Sequence, residues 1–207
     1  MAMATATSIR RKDKGRRRQE LIDAANAVFA EHGFDCATTR EIAERAGCAE
    51  GLIHRYFNGK RGLLLAILES KAAHVSDDLL VALPDRKTVL EEVEQLFDWC
   101  LNTYWERRDF MRVSVSQAAI DPGIGRSISS GINNRQVTLV RDKLERHRAT
   151  GRIRPDADLE AIAYSLTGLG FAIAFLFQVC FGEDRRLARR ILMQAAESTT
   201  RGLAPSP

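Results

Sequence analysis

Thr38 to Phe57 reads TTREIAERAGCAEGLIHRYF, and its spacing decides the fold. A hydroxyl from Thr38 or Thr39 can cap the free N–H groups of a short helix. With Thr39 as its first position, Ile42 and Ala43 turn inward, and Ala43 is small where two helices must cross. Gly47, four residues later, occupies a tight turn, and another short helix is expected over about 50–56. Cys48 and Ile53 complete an apolar wedge between the pair. Small residue, glycine and buried aliphatics at these intervals suit a helix-turn-helix, whose second helix enters a major groove while the first crosses the backbone. A plain helical hairpin would leave the basic segment upstream and the aromatic pair Tyr56-Phe57 unexplained.

Upstream, Leu21, Ile22, Ala25, Val28 and Phe29 recur on one face, which predicts a first helix over about 17–32 that stops at Gly33. Before it, residues 10–18 carry seven Lys and Arg against Asp13, a local balance of +6 in a chain of net charge +4. Such a basic arm, expected to be flexible over residues 1–16, suits phosphates or another anionic surface. No apolar stretch precedes the first helix, so no signal peptide is expected, and the natural home is cytoplasmic.

Downstream, Asn58-Gly59 is a turn signal, and a fourth helix should run from about Lys60 toward Leu80, closed by Leu83-Pro84-Asp85. Further helices are expected at about 87–107, 109–119, 125–149, 158–181 and 184–201. Valine, isoleucine and threonine show no sustained period-two alternation, so a sheet has little support. The expected fold is all-α, with about nine helices: a three-helix helix-turn-helix domain over 17–64 and a larger helical domain over 65–202.

From Ala161 to Phe181 there is no charged residue for 21 positions, enough to cross a bilayer on length alone. Tyr164, Ser165, Thr167 and Gln178 interrupt it, and the reading preferred is a helix covered by its own core on one side and by a partner subunit on the other. Cys36, Cys48, Cys100 and Cys180 are scattered, as are the four histidines, which matches neither a structural zinc site nor a disulfide framework. Carboxylates are spread along helix faces, and no glycine-rich phosphate loop follows a strand. No enzyme chemistry, cofactor or metal is expected.

The stretch closely resembles the TetR family of bacterial regulators. Gly33, Thr38-Thr39, Ile42-Ala43, Ala46-Gly47, Gly51, Tyr56-Phe57 and Lys60 stand where the family signature has them, across about residues 19–68. The resemblance implies that Thr39, Tyr56 and Lys60 contact or orient phosphates. It places Arg40, Glu50, Gly51, Leu52, His54 and Arg55 at base edges or the adjoining backbone, and implies double-stranded operator DNA as partner. The chemistry agrees: Thr39 and Lys60 sit at helix starts, where free N–H groups favour phosphate. Arg40 or Arg55 can fork onto guanine, Leu52 can meet a thymine methyl, and Glu50 can accept from cytosine N4. Phe57 is expected in the core. The chain departs from the signature at Ala49, where serine is common, at Glu50, where lysine is frequent, at His54, where tyrosine is usual, and at Arg61, where an acid follows the lysine.

For the larger domain the resemblance implies a homodimer through helices about 158–181 and 184–201 and a pocket for a small hydrophobic effector. Two recognition helices about 34 Å apart would read a palindrome. Candidate pocket residues are Phe97, Leu101, Tyr104, Phe110, Met111, Val115, Phe171 and Phe175, all of which could equally be ordinary core. The function implied is a ligand-responsive repressor; a regulator with a fully packed core, or an activator, is the alternative.

Overall fold

Runs of helix-forming residues, broken by single glycines, prolines and capping hydroxyls, give an all-helical chain in the computed structural model, which describes residues 2–205, with side chains described for 13–71, 81–131 and 133–205. In order these are α1 (Ala2–Cys36), α2 (Thr39–Arg45), α3 (Gly51–Phe57), α4 (Lys60–Ala82), α5 (Val89–Glu106), α6 (Arg108–Ile120), α7 (Pro122–Ile128), α8 (Asn134–Ala149), α9 (Leu159–Phe171) and α10 (Arg185–Leu203). A π-helical segment, Ser129–Asn133, joins α7 to α8, so ten α-helices make nine continuous rods among the described residues. A second π-helical segment, Ala172–Cys180, extends α9.

Side-chain caps fix several starts. Thr38 accepts from Glu41 N at 3.1 Å ahead of α2, Thr88 and Glu91 form a reciprocal capping box at α5, and Asp158 and Asp184 cap α9 and α10. Each cap satisfies a backbone donor that a helix end leaves open and contributes about 1 kcal/mol.

The first helix begins at Ala2 rather than near residue 17; its regular course stops at Gly33 as expected, where the backbone is non-helical (φ 75°, ψ 166°), and one further turn, 34–36, follows the kink. Lysine and arginine are good helix formers, and Arg16 pairs with Asp13 (3.0 Å) and Glu20 (3.1 Å) one turn away, which helps carry the helix back through the basic segment. The side chains of residues 1–12, and with them much of the expected arm, lie outside the described residues.

Two compact units emerge. The first comprises Met1–Lys71 and Val113–Ser127. Its core is Leu21, Ala25, Val28 and Phe29 of α1, Ile42 and Ala43 of α2, Ile53 and Phe57 of α3, and Leu63, Leu64 and Ile67 of α4, all buried. Full burial of the valine, leucine, isoleucine and phenylalanine side chains among these stabilises by about 1.5–3 kcal/mol each. Asp121 is prominent in this unit. Its Oδ1 accepts from Gly123 N (2.8 Å) and Ile124 N (3.3 Å) at the head of α7, and both carboxylate oxygens are gripped by Arg61.

The second unit comprises Ala72–Arg112 and Ile128–Pro207. Here α5 is central, packing on α8, α9 and α10. Val89, Val93, Leu96, Phe97, Cys100, Leu101 and Tyr104 form its buried stripe at helical spacing. Burial pushes the Cys100 thiol up to about 12, so it is an inert core group. Leu159–Cys180, of mean hydropathy 1.7, is long and apolar enough to cross a membrane by length and composition. It packs on α5, α8 and α10, burying Ala163, Leu166, Phe175 and Val179. Ala161, Tyr164, Ser165 and Gly168 face outward.

Candidate nucleic-acid interface

The turn between α2 and α3 is set by Gly47 at φ 60°, a left-handed position that a side chain rarely adopts. Cys48 N closes it on Ala43 O at 3.0 Å. Ile42, Ala43 and Ile53 are buried at the helix crossing, and Cys48 is half-buried beside them. With the inner face of α3 fixed by Ile53 and Phe57, its outer face carries Gly51, His54 and Arg55, all exposed, with Leu52 and Tyr56 half-buried at the edges. Bracing comes from outside the motif. Arg45 forks onto Glu31 of α1 (2.6 and 2.7 Å), and His32 Nε2 lies 2.8 Å from Glu41.

The residues expected to touch DNA fall into two groups. Thr39, Arg40 and Lys60 already hold partners within the protein. The Thr39 hydroxyl donates to Glu50 Oε1 at 2.5 Å, bringing the starts of α2 and α3 together, and Glu50 makes no side-chain cap on α3. Arg40 Nε donates to Glu44 at 2.9 Å. Lys60 Nζ donates to the carbonyls of Phe34 (2.8 Å) and Asp35 (3.1 Å) and lies 4.9 Å above the Phe34 ring. The lysine therefore satisfies carbonyls of the single turn, 34–36, that follows the Gly33 kink and leads into α2. Arg55, by contrast, has no ion pair among the described residues.

Tyr56 stands under Lys14 Nζ, 5.8 Å from the ring centre, and Phe57 under the Arg18 guanidinium at 5.1 Å. Phe57 is buried, as expected of a core residue, and the cations of α1 pass directly over the end of α3. Sequence reasoning missed the Arg61–Asp121 fork. Arg61 stood out as a departure from the family's acid, but its partner is 60 residues downstream, beyond any local spacing rule. Arg61 holds the Asp121 carboxyl well below the usual carboxylate range, helped by the two backbone N–H donors of α7.

The eight pocket candidates are distributed differently. Phe97, Leu101, Tyr104 and Phe175 are buried, and Tyr104, Phe171 and Phe175 form a chain of ring contacts at 5.9 and 5.3 Å. Phe110 and Met111 are half-buried on α6, and Val115 belongs to the first unit. None of the eight lines either of two larger cavities of the second unit: an open groove of about 740 Å³ along α5, and a recess of about 450 Å³ beside the end of the second π segment.

Comparison with known proteins places this arrangement. Residues 21–67 match the family described as "Bacterial regulatory proteins, tetR family". The HTH-type transcriptional repressor AcnR of Corynebacterium diphtheriae is 29% identical over 196 residues, covering 92% of this chain and 94% of that one. AcnR of Corynebacterium efficiens is 31% identical over 153 residues, covering 70% and 73%. The transcriptional regulator FadR from Bacillus subtilis, solved in complex with stearoyl-CoA, superposes with a TM-score of 0.71 at 17% identity over 86% of this chain and 96% of its own, which shows the shared fold. The chain belongs to the TetR family of bacterial regulatory proteins and is a DNA-binding transcription regulator, not an enzyme.

Proposed function

We propose that the protein is a cytoplasmic repressor that binds an approximately palindromic operator as a homodimer and is released by a small hydrophobic effector. The observation that carries the DNA-binding half is the outward face of α3, Gly51, His54 and Arg55, held off the core by Ile53 and Phe57. Arg55 reads a base edge; Thr39, Arg40, Glu50, Leu52, Tyr56 and Lys60 orient the motif or meet backbone and neighbouring bases. One short helix spans only a few base pairs, so two copies are needed for a specific site, about 34 Å apart on successive grooves. The outward face of α9 supports the pairing: Ala161, Ser165 and Gly168 are small and Tyr164 is half exposed, which suits a close isologous contact with α9 and α10 of a second copy. Repression is the activity named for both AcnR relatives.

The effector reading draws on the FadR structure, whose complex contains stearoyl-CoA, and on the aromatic interior of α5 and α9. One observation favours a second reading. Phe97, Leu101, Tyr104 and Phe175 are so fully buried that the interior could be closed, leaving control to protein level alone. An effector acts only through the difference between its affinities for the DNA-bound and released conformations. Light scattering, footprinting and a promoter reporter, with operator affinity titrated against a metabolite library, test the whole. A monomer protecting a single half-site refutes the dimer, and a library that never shifts operator affinity refutes the effector.

A further inference from the structure

The recess of about 450 Å³ in the second unit has a composition at odds with a purely hydrophobic effector. It lies between the end of α5, the start of α6, and the junction of the second π segment with α10. Trp105, Arg108, Arg112, Gln178, Glu183 and Arg185 dominate its wall. Three guanidinium groups face one carboxylate. Each arginine is held in place mainly by a neutral acceptor: Arg108 Nη1 by Trp105 O (3.0 Å), Arg112 Nη2 by Val179 O (2.8 Å), Arg185 Nη2 by Asn102 Oδ1. The one nearby acid on α6, Asp109, is 3.9 Å from Arg112, the outer limit of an ion pair. The anchors leave further N–H donors on every fork and positive charge without a close counter-ion.

Gln178 is the second, independent sign. It is 4% exposed, yet its Oε1 has no hydrogen-bond partner. A desolvated acceptor left open is destabilising, and a donor from a bound molecule would satisfy it. The residue sits in a π-helical segment, a geometry frequent at functional sites. Trp105, 43% exposed and covered on one side by the Arg108 guanidinium at 5.1 Å, offers a flat apolar wall.

We propose that this recess seats an organic anion, a carboxylate or a phosphate ester, with a flat apolar body and one N–H or O–H donor. The anionic group meets Arg108, Arg112 and Arg185, the body lies on Trp105, and the donor reaches Gln178 Oε1. This names the chemistry of the effector and so rests on the effector reading above.

Four indoles of nearly one shape test it by calorimetry on the full-length protein at fixed ionic strength: indole-3-acetate, indoxyl phosphate, indole-3-acetamide and tryptamine. The carboxylate or the phosphate should bind at least ~10-fold more tightly than the amide or the amine, since charge-assisted hydrogen bonds are the stronger ones. Whichever anion binds better identifies the head group. Arg185→Gln, on an exposed residue, should weaken the anions and leave the amide unchanged, with an unaltered melting temperature. Gln178→Met should weaken indole-3-acetate but not its N-methyl analogue. Equal binding of acid, amide and amine, no binding of either anion, or indifference to Arg185→Gln overturns the proposal. Operator release is read separately. Anions that bind without changing operator affinity keep the seat and refute its identity with the effector site; release by neutral compounds alone keeps the effector reading and refutes the seat.

Discussion

Replacing Gly62 by alanine should displace the recognition helix. Gly62 lies in the first turn of α4, immediately after the reversal formed by Asn58 at φ 60° and Gly59 at φ 95°. That reversal folds α4 back so tightly that a Cβ on Gly62 would fall 1.4 Å from the carbonyl oxygen of Phe57, the last residue of α3. The Cβ is fixed by its own backbone and the atom it meets is backbone, so no rotamer change relieves the overlap. Ordinary contact begins near 3.4 Å, and the end of α3 or the start of α4 must therefore move by about 2 Å. Against this stands the gain of about 1 kcal/mol in helix propensity when glycine becomes alanine. Overpacking costs about 1–3 kcal/mol where neighbours can adjust and more where they cannot. The steric term wins, by an estimated ~2 kcal/mol, which for a chain of this size lowers the melting temperature by roughly 4–8 °C. A shift of that size also breaks base contacts worth about 1–3 kcal/mol each, so specific operator binding should fall ~10-fold or more while nonspecific, counterion-driven binding persists. Scanning calorimetry and fluorescence anisotropy on operator and scrambled duplexes at matched salt measure both. Gly202→Ala is the control, since a Cβ there meets nothing within 4 Å. If Gly62→Ala melts at or above the parent temperature and binds the operator normally, the close approach is not what positions α3.

Arg55→Ala should lose about 1–3 kcal/mol of discrimination between operator and mutated sites, measured by competition binding; equal losses on all sequences would make it a phosphate contact. Lys60→Met should lower the melting temperature, because the carbonyls of Phe34 and Asp35 lose their cap, and should reduce the salt slope by less than the full unit expected of a free phosphate-binding lysine. Asp121→Asn tests the acid side. The folded Asp121 carboxyl titrates below its unfolded value, so its stabilisation is complete above the ordinary aspartate range, about 3.9, and is lost as pH falls below it. The variant should melt lower at neutral pH and lose less stability than the parent on acidification; parallel melting curves across pH would rule the pair out as a contributor.

Local chemistry made much of the fold legible. Thr38 caps α2, Gly47 turns the chain and Ile53 closes the wedge as their spacing requires, and the later helices fall within a few residues of their expected ranges because prolines, glycines and capping aspartates mark them. What escaped was long-range or depended on which face a residue takes. The start of α1 is hard to place from sequence because a dense run of cations resembles a solvated tail, although its ion pairs support a helix. The aromatic residues named for a pocket were chosen by size, and size alone does not separate a ring that lines a space from one that fills it: Tyr104, Phe171 and Phe175 fill theirs against one another. Arg108 and Arg112 lie one turn apart on α6, but only the fold brings Gln178 and Arg185, on a distant stretch of chain, to the same recess.

The interface itself divides labour in a way the motif does not announce. In the proposed function, Thr39, Arg40 and Lys60 would meet DNA only by sharing or exchanging bonds they already hold with Glu50, Glu44 and the end of α1. An arriving phosphate must compete for the Thr39 hydroxyl with Glu50, whose negative charge at that position opposes it at close range. On that proposal the pairing would discriminate against loosely held backbone and favour a register in which Glu50 itself finds a donor, as cytosine N4 would supply. Arg55, exposed and without an ion pair among the described residues, would fork onto a base at no exchange cost. The proposal thus expects sequence discrimination to concentrate on Glu50 and Arg55, with Thr39 and Lys60 chiefly holding α1, α2 and α3 in place.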